Sequence, residues 1–249
     1  MDLGFGGIVL WELLGTAALT LLGCGVVANT ALRKSLGYQG GWLLVNFGWG
    51  FAVFVGASIA APSKAHLNPA VTLGLASAGN LPWADVPAYL VGQFAGAFIG
   101  AVLCWATYKL QFDTNEDNTG SLGIFATGPT VRHYGWNLVT EVIGTFVLVL
   151  WVLVSPSAKM GEAGVPEFGN SALGYAAVAF VVIGIGNSLG GPTGYAINPA
   201  RDLGPRLAYA VLPIPGKGGA DWPYAWVPIA GPVAGGVLAG LLAQILPST

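Results

Sequence analysis

The chain writes one short polar motif twice, first as His66-Leu67-Asn68-Pro69-Ala70-Val71-Thr72 and again, 130 residues on, as Ala196-Ile197-Asn198-Pro199-Ala200-Arg201-Asp202. Asn is a good helix N-cap and Pro a good first-turn residue, so Asn68-Pro69-Ala70 and Asn198-Pro199-Ala200 both read as starts of short helices of about three turns. Each follows a run rich in Gly, Pro and Ser. The chemistry open to such a pair is hydrogen bonding: an asparagine amide can donate to an oxygen passing close to it. Two buried acids, Glu12 and Glu141, also recur in matching contexts, Glu12-Leu13-Leu14-Gly15-Thr16 and Glu141-Val142-Ile143-Gly144-Thr145.

The elements that must hold these groups are apolar. Of 249 residues, 54% are hydrophobic and 8% charged, with 39 Gly, 16 Pro and a mean hydropathy of +0.68. A soluble domain carries about 25% charged residues. Residues 13–32, 35–63, 65–84, 86–108, 168–200 and 222–249 contain no charged side chain, and 142–158 add a further run. At about 20 residues per crossing, the chain reads as an all-α polytopic protein of the lipid bilayer. The spans fall near 8–30, 40–61, 86–109, 134–154, 171–190 and 222–246. The polar stretch 111–132 reads as an external loop, 155–170 as another, and Pro213, Pro215, Lys217 and Asp221 mark the last. A formal net charge of -2 implies no nucleic-acid partner. Cys24 and Cys104, without CxxC or His companions, read as packed small side chains, with no metal site. The start, with Asp2 and no basic region, does not read as a cleaved signal peptide.

The two halves repeat. The Glu-Gly-Thr segments are offset by 129 residues, the Asn-Pro-Ala copies by 130, and Gln93-Phe94-Ala95-Gly96-Ala97 resembles Pro232-Val233-Ala234-Gly235-Gly236. Each half is span, span, short half-helix, span, with 1–110 the first repeat and 134–249 the second of one domain, 1–249. Three full spans is an odd number, so the second copy starts on the opposite side of the membrane and the repeat is inverted. The half-helices then enter from opposite faces and bring Asn68 and Asn198, at the positive ends of two short dipoles, to the bilayer centre. Pro69 and Pro199 have no N–H to leave unsatisfied there. Irregular backbone at that depth is tolerated where it lines an aqueous cavity.

An ionisable residue inside a membrane is a functional candidate by default, and a proton relay is one reading of Glu12 and Glu141. Their duplication favours a structural one, in which each accepts backbone N–H groups of its own re-entrant loop and anchors it. His66 is a pore-wall polar group or a loop anchor, with pore proximity favoured. Gly92, Gly96 and Gly100, and Gly231 and Gly235 with Ala239, are spaced for close helix contact. Trp42, Trp83, Trp105, Trp136, Trp222 and Trp226 read as interfacial anchors. Trp49 lies within a span, beside Gly48 and Gly50.

On His66-Leu67-Asn68-Pro69-Ala70-Val71-Thr72, on Asn198-Pro199-Ala200-Arg201-Asp202 and on the paired Glu-Gly-Thr segments, the chain resembles the major intrinsic protein family, the aquaporins and glycerol facilitators. The resemblance runs over essentially the whole chain. It implies six transmembrane helices, two re-entrant half-helices, one pore per subunit, a homotetramer, and passive flow that is not enzymatic and needs no cofactor. By family position, a selectivity filter would comprise Trp49, Gly186, Tyr195 and Arg201. Water-selective members resemble one another in carrying His where Gly186 stands, so Gly186 implies a wider opening, and Asp202 resembles the glycerol-conducting branch. Trp49 and Tyr195 would pack on the carbon edge of a polyol while Arg201 takes its hydroxyls. Tyr195 replaces the Phe common in bacterial glycerol facilitators, and its hydroxyl is expected to narrow or polarise the filter.

The implied cargo is glycerol with some water. Water itself, urea, dihydroxyacetone and undissociated lactic acid are the alternatives, and a proton-coupled transporter or a junction-forming membrane protein are the readings from other classes. The family places both termini in the cytoplasm and bacterial members in the inner (plasma) membrane. A count of basic residues favours the reverse orientation, because Arg33, Lys34, Lys109, Arg132, Arg206 and Lys217 would then lie at the outer face and only Lys64 and Lys159 inside.

Overall fold

The computed structural model describes residues 3–155 and 172–246. Ten α-helices follow one another among them: α1 (Phe5–Ala31), α2 (Gly41–Ile59), α3 (Pro69–Ser77), α4 (Val86–Thr107), α5 (Lys109–Thr114), α6 (Leu122–Phe125), α7 (Tyr134–Val154), α8 (Ala172–Leu189), α9 (Pro199–Val211) and α10 (Val227–Ala243). A single 3-10 turn, Ala61–Ser63, precedes α3. The helices α1, α2, α4 and α7 are long and apolar enough to cross a membrane, and the shorter apolar helices α8 and α10 complete the six spans. The half-helices are α3 and α9, of 9 and 13 residues. The fold is thus an all-α, multi-pass membrane bundle.

Sequence sets the limits of these elements. Asn68 and Asn198 cap α3 and α9, and Pro69 and Pro199 occupy the first turns, where a missing N–H costs nothing. Pro87 and Pro228 do the same for α4 and α10. The last span starts later than the apolar run, because Trp222–Trp226 form a turn and Pro228 fixes the first helical turn.

The repeat is visible in packing. On α4, a Cβ added at Gly92, Gly96 or Gly100 would lie 2.6, 2.4 and 2.2 Å from the carbonyl oxygens of Val9, Leu13 and Ala17 on α1. On α10, a Cβ at Gly231 or Gly235 would lie 2.6 Å from Glu141 Cβ and 2.4 Å from the Val142 oxygen on α7. Only glycine permits backbones this close. Each half-helix packs on the long helix of the other half: Gly236 and Gly240 of α10 let Ala70 and Gly74 of α3 approach, and Gly204 of α9 fits against Ala97 of α4. Crossed packing of this kind makes the two repeats a single body.

The expected external loop 111–132 is not simply exterior. It holds part of α5 and all of α6, and it buries Phe112, Ile124 and Phe125 against Leu32 and Tyr209. Asn118 ties it down by donating to the carbonyls of Phe112 and Pro215, at 2.9 and 2.8 Å. Its polar composition hid three apolar side chains that cap the core. The expected loop 155–170 lies, beyond Ser155, outside the described residues.

Candidate functional site

The irregular segments before α3 and α9 carry the site. Ala65 and Leu67 in one, Tyr195 and Ile197 in the other, have positive φ of 54°, 53°, 39° and 42°. Left-handed backbone costs a non-glycine residue about 1–2 kcal/mol, so these segments need holding. The holding groups are the buried glutamates. Glu12 accepts the N–H groups of His66 at 3.0 Å and Leu67 at 2.7 Å, together with Ser63 Oγ and Gln93 Nε2. Glu141 accepts the N–H groups of Ala196 at 3.0 Å and Ile197 at 2.9 Å. In both loops the carboxylate thus binds the residue that carries the strain.

The two asparagines meet across the halves. Asn68 Oδ1 accepts the Ala70 N–H, and Asn198 Oδ1 accepts those of Ala200 and Arg201. Asn68 Nδ2 donates to the Ile197 carbonyl at 2.7 Å, and Asn198 Nδ2 donates to the Leu67 carbonyl at 2.9 Å. One hydrogen of each amide is engaged by the opposite loop, and one remains to donate. This crossed pair also fixes the direction in which the remaining hydrogen points. Both asparagines line the same inner cavity of about 340 Å³, which also touches Lys64, His66 and Tyr175.

His66 is held as well as placed on that wall. Its ring stacks on Tyr89 at 4.0 Å, and Nδ1 lies 3.1 Å from Thr72 Oγ1. Thr72 Oγ1 donates to the Asn68 carbonyl and accepts from Gln93 Nε2.

An outer cavity of about 440 Å³ lies beyond the inner one, and the two share three lining residues: Trp49, Tyr195 and Arg201. These three side chains stand between the two cavities. The Arg201 guanidinium lies over Trp49, with Cζ 3.7 Å from the ring centroid, a cation–π arrangement. Nη1 donates to the Phe125 carbonyl at 3.2 Å, the one hydrogen bond its side chain makes among the described residues. Several N–H donors are left for a hydroxyl beside them.

Gly186 lines neither cavity. A Cβ there would lie 2.7 Å from Tyr195 Cζ and 2.6 Å from Asn46 Oδ1, and one at Gly190 would lie 2.4 Å from Tyr195 Cδ1. The glycines at 186 and 190 form a notch on α8, and the phenol ring lies in it. The space expected as a wider opening is filled by Tyr195. The expectation that its hydroxyl narrows the passage is corrected too, since that oxygen is buried in protein beside Gly186. Trp42, expected as an interfacial anchor, meets Tyr195 edge to face at 5.8 Å and donates Nε1–H to the Gly186 carbonyl.

Behind Arg201, Asp202 accepts the N–H and the hydroxyl of Thr127, both at 2.7 Å, and pairs with Arg206 at 2.8 Å. Arg206 is fully buried and also donates to the carbonyls of Thr127 and Ala220. This fastens residues 125–127 to α9, and so places the Phe125 carbonyl against Arg201.

Residues 3–243 match the family model for the major intrinsic protein. The chain belongs to the major intrinsic protein family. Among curated members, a probable glycerol uptake facilitator protein of Thermotoga maritima is 50% identical over 225 residues, covering 90% of this chain and 92% of that one. Glycerol uptake facilitator protein 3 of Lactiplantibacillus plantarum is 50% identical over 240 residues, covering 96% of each. The X-ray structure of the aquaglyceroporin from Plasmodium falciparum superposes with a TM-score of 0.82 at 29% identity, covering 98% of this chain and 97% of that one. In this member of the family, sequence reasoning missed Gln93, Phe125, Thr127, Asn46 and Asn187. Gln93 carried a signal as a lone amide in an apolar span. The Phe125 carbonyl carried none, because a backbone oxygen has no letter in a sequence.

Proposed function

We propose that the protein is a passive channel for glycerol and similar small uncharged solutes, with some water permeability. The observation that carries the proposal is the trio shared by both cavities, an aromatic pair facing a guanidinium. A polyol offers hydroxyls on one edge and C–H groups on the other. Arg201 suits the first, Trp49 and Tyr195 the second. A hydrated ion finds no replacement for its shell on such a wall, and Arg201 adds like-charge repulsion against cations. Relatives named for glycerol uptake support the same cargo.

Asn68 and Asn198 form the central station of this pathway. Each half-helix N-terminus contributes roughly half a positive charge, which favours a solute oxygen there and opposes cations. Glu12 and Glu141 serve as loop anchors, and His66 as a polar wall group. Residues 1–110 and 134–249 act as the two repeats of one channel domain. Subunits assemble as homotetramers in the inner membrane, both termini cytoplasmic, each with its own pore.

Stopped-flow light scattering of proteoliposomes tests the reading. Glycerol should equilibrate much faster than in protein-free vesicles, with a smaller gain for water. Glycerol flux equal to that of empty vesicles, from inserted and folded protein, would refute it.

A further inference from the structure

Two buried polar atoms behind the constriction lack partners. The Tyr195 hydroxyl and Asn46 Oδ1 both have no hydrogen bond, although Tyr195 is 4% exposed and Asn46 0%. One is a donor and the other an acceptor, and they meet at the same glycine: they lie 2.9 and 2.6 Å from the point a Cβ of Gly186 would take. Buried polar atoms in a protein interior are satisfied far more often than not. Asn46 is also oriented. Its Nδ2 donates to Asn187 Oδ1 at 2.7 Å, which bridges α2 to α8 and leaves Oδ1 as the free end of the amide.

We propose that Asn46 is a positioning residue of the constriction: its Oδ1 accepts from one water over Gly186 that also accepts the Tyr195 hydroxyl, and this bridge holds the phenol ring in the notch of Gly186 and Gly190. The inference rests on the channel reading above. Trp42, Gly186 and Gly190 bound the ring on its protein side, and Tyr195 also lines both cavities, so an untethered ring has the cavity side to move into. Since the hydroxyl faces protein and meets no solute, removing it can alter flux only through where the ring sits.

The test compares glycerol and water flux in the same proteoliposomes for the wild type, Asn46→Leu, Tyr195→Phe and the double variant. The loss of one hydrogen bond shifts a two-state population by about fivefold. Asn46→Leu and Tyr195→Phe should each lower the glycerol-to-water ratio by about that factor, and the double variant should fall no further than either. Asn187→Ala, at an exposed position, should lower the ratio in the same direction by a smaller factor, because the Asn46 amide is then free to turn. An unchanged ratio in Asn46→Leu, or in Asn187→Ala if the first variant fails to insert, overturns the inference. So do single effects that multiply in the double variant. Wild-type protein without glycerol flux would instead remove the channel reading itself, and the tether with it.

Discussion

At the scale of residues, the constriction depends on small changes of side-chain position. Gly186 matters here for the ring it seats rather than for a gap it leaves. Gly186→Ala should therefore act on glycerol before it acts on water. Its methyl would sit 2.7 Å from Tyr195 Cζ, so the ring must shift toward the passage. Overpacking of this kind costs about 1–3 kcal/mol, enough for roughly a tenfold loss of glycerol flux while water, being narrower, loses less. Gly186→His should be more severe in the same sense. Parallel swelling assays with the two solutes measure this, and equal loss of both fluxes in correctly folded protein would count against the placement of Tyr195. The residue types at this site were legible: Trp49, Tyr195 and Arg201 could be named from the sequence. The contacts were not, because whether Tyr195 points at solvent or at Gly186 depends on the left-handed turn at 195 and on a second glycine four residues past the first.

At the scale of elements, the re-entrant loops are strained segments held by charge. Glu141 receives two backbone N–H groups from residues 196 and 197, the second of which is left-handed. Removing the carboxylate leaves both donors buried and unpaired, and breaking a buried charged interaction costs about 3–5 kcal/mol. Glu141→Ala should thus lower the thermal midpoint in detergent markedly and reduce the yield of assembled protein. Glu141→Gln, which keeps one acceptor, should lose less, and its surviving protein should conduct independently of a proton gradient. A Gln variant of normal stability that had lost proton-coupled uptake would instead identify the acid as a relay. The span pattern, the caps at Asn68 and Asn198 and the pairing of halves were legible because each is a local rule repeated twice. The loop at 111–132 was misread because its polar majority concealed Phe112, Ile124 and Phe125, whose burial depends on partners far along the chain.

At the scale of the whole molecule, transport follows from how the halves meet. Most of the basic residues that weigh against cytoplasmic termini have partners: Arg33 pairs with Glu116, Lys109 with Asp113, Arg132 with Asp221 and Arg206 with Asp202, the last pair fully buried. Lys217 donates to the carbonyls of Tyr209, Ala210 and Leu212 at the end of α9, where a cation complements the helix dipole. In the passage itself, the described side chains facing the cavities offer donors, carbonyls and apolar carbon, with Lys64 and Arg201 as the charges. Such a wall suits neutral solutes moving down their own gradient. The most direct measurement is glycerol flux into proteoliposomes at a fixed glycerol gradient, with imposed proton and sodium gradients and again after ionophores collapse them. Flux should be the same in both conditions, equal in both directions, and weakly saturating. Accumulation of glycerol against its gradient, driven by protons or sodium and lost with the ionophore, would contradict a passive channel.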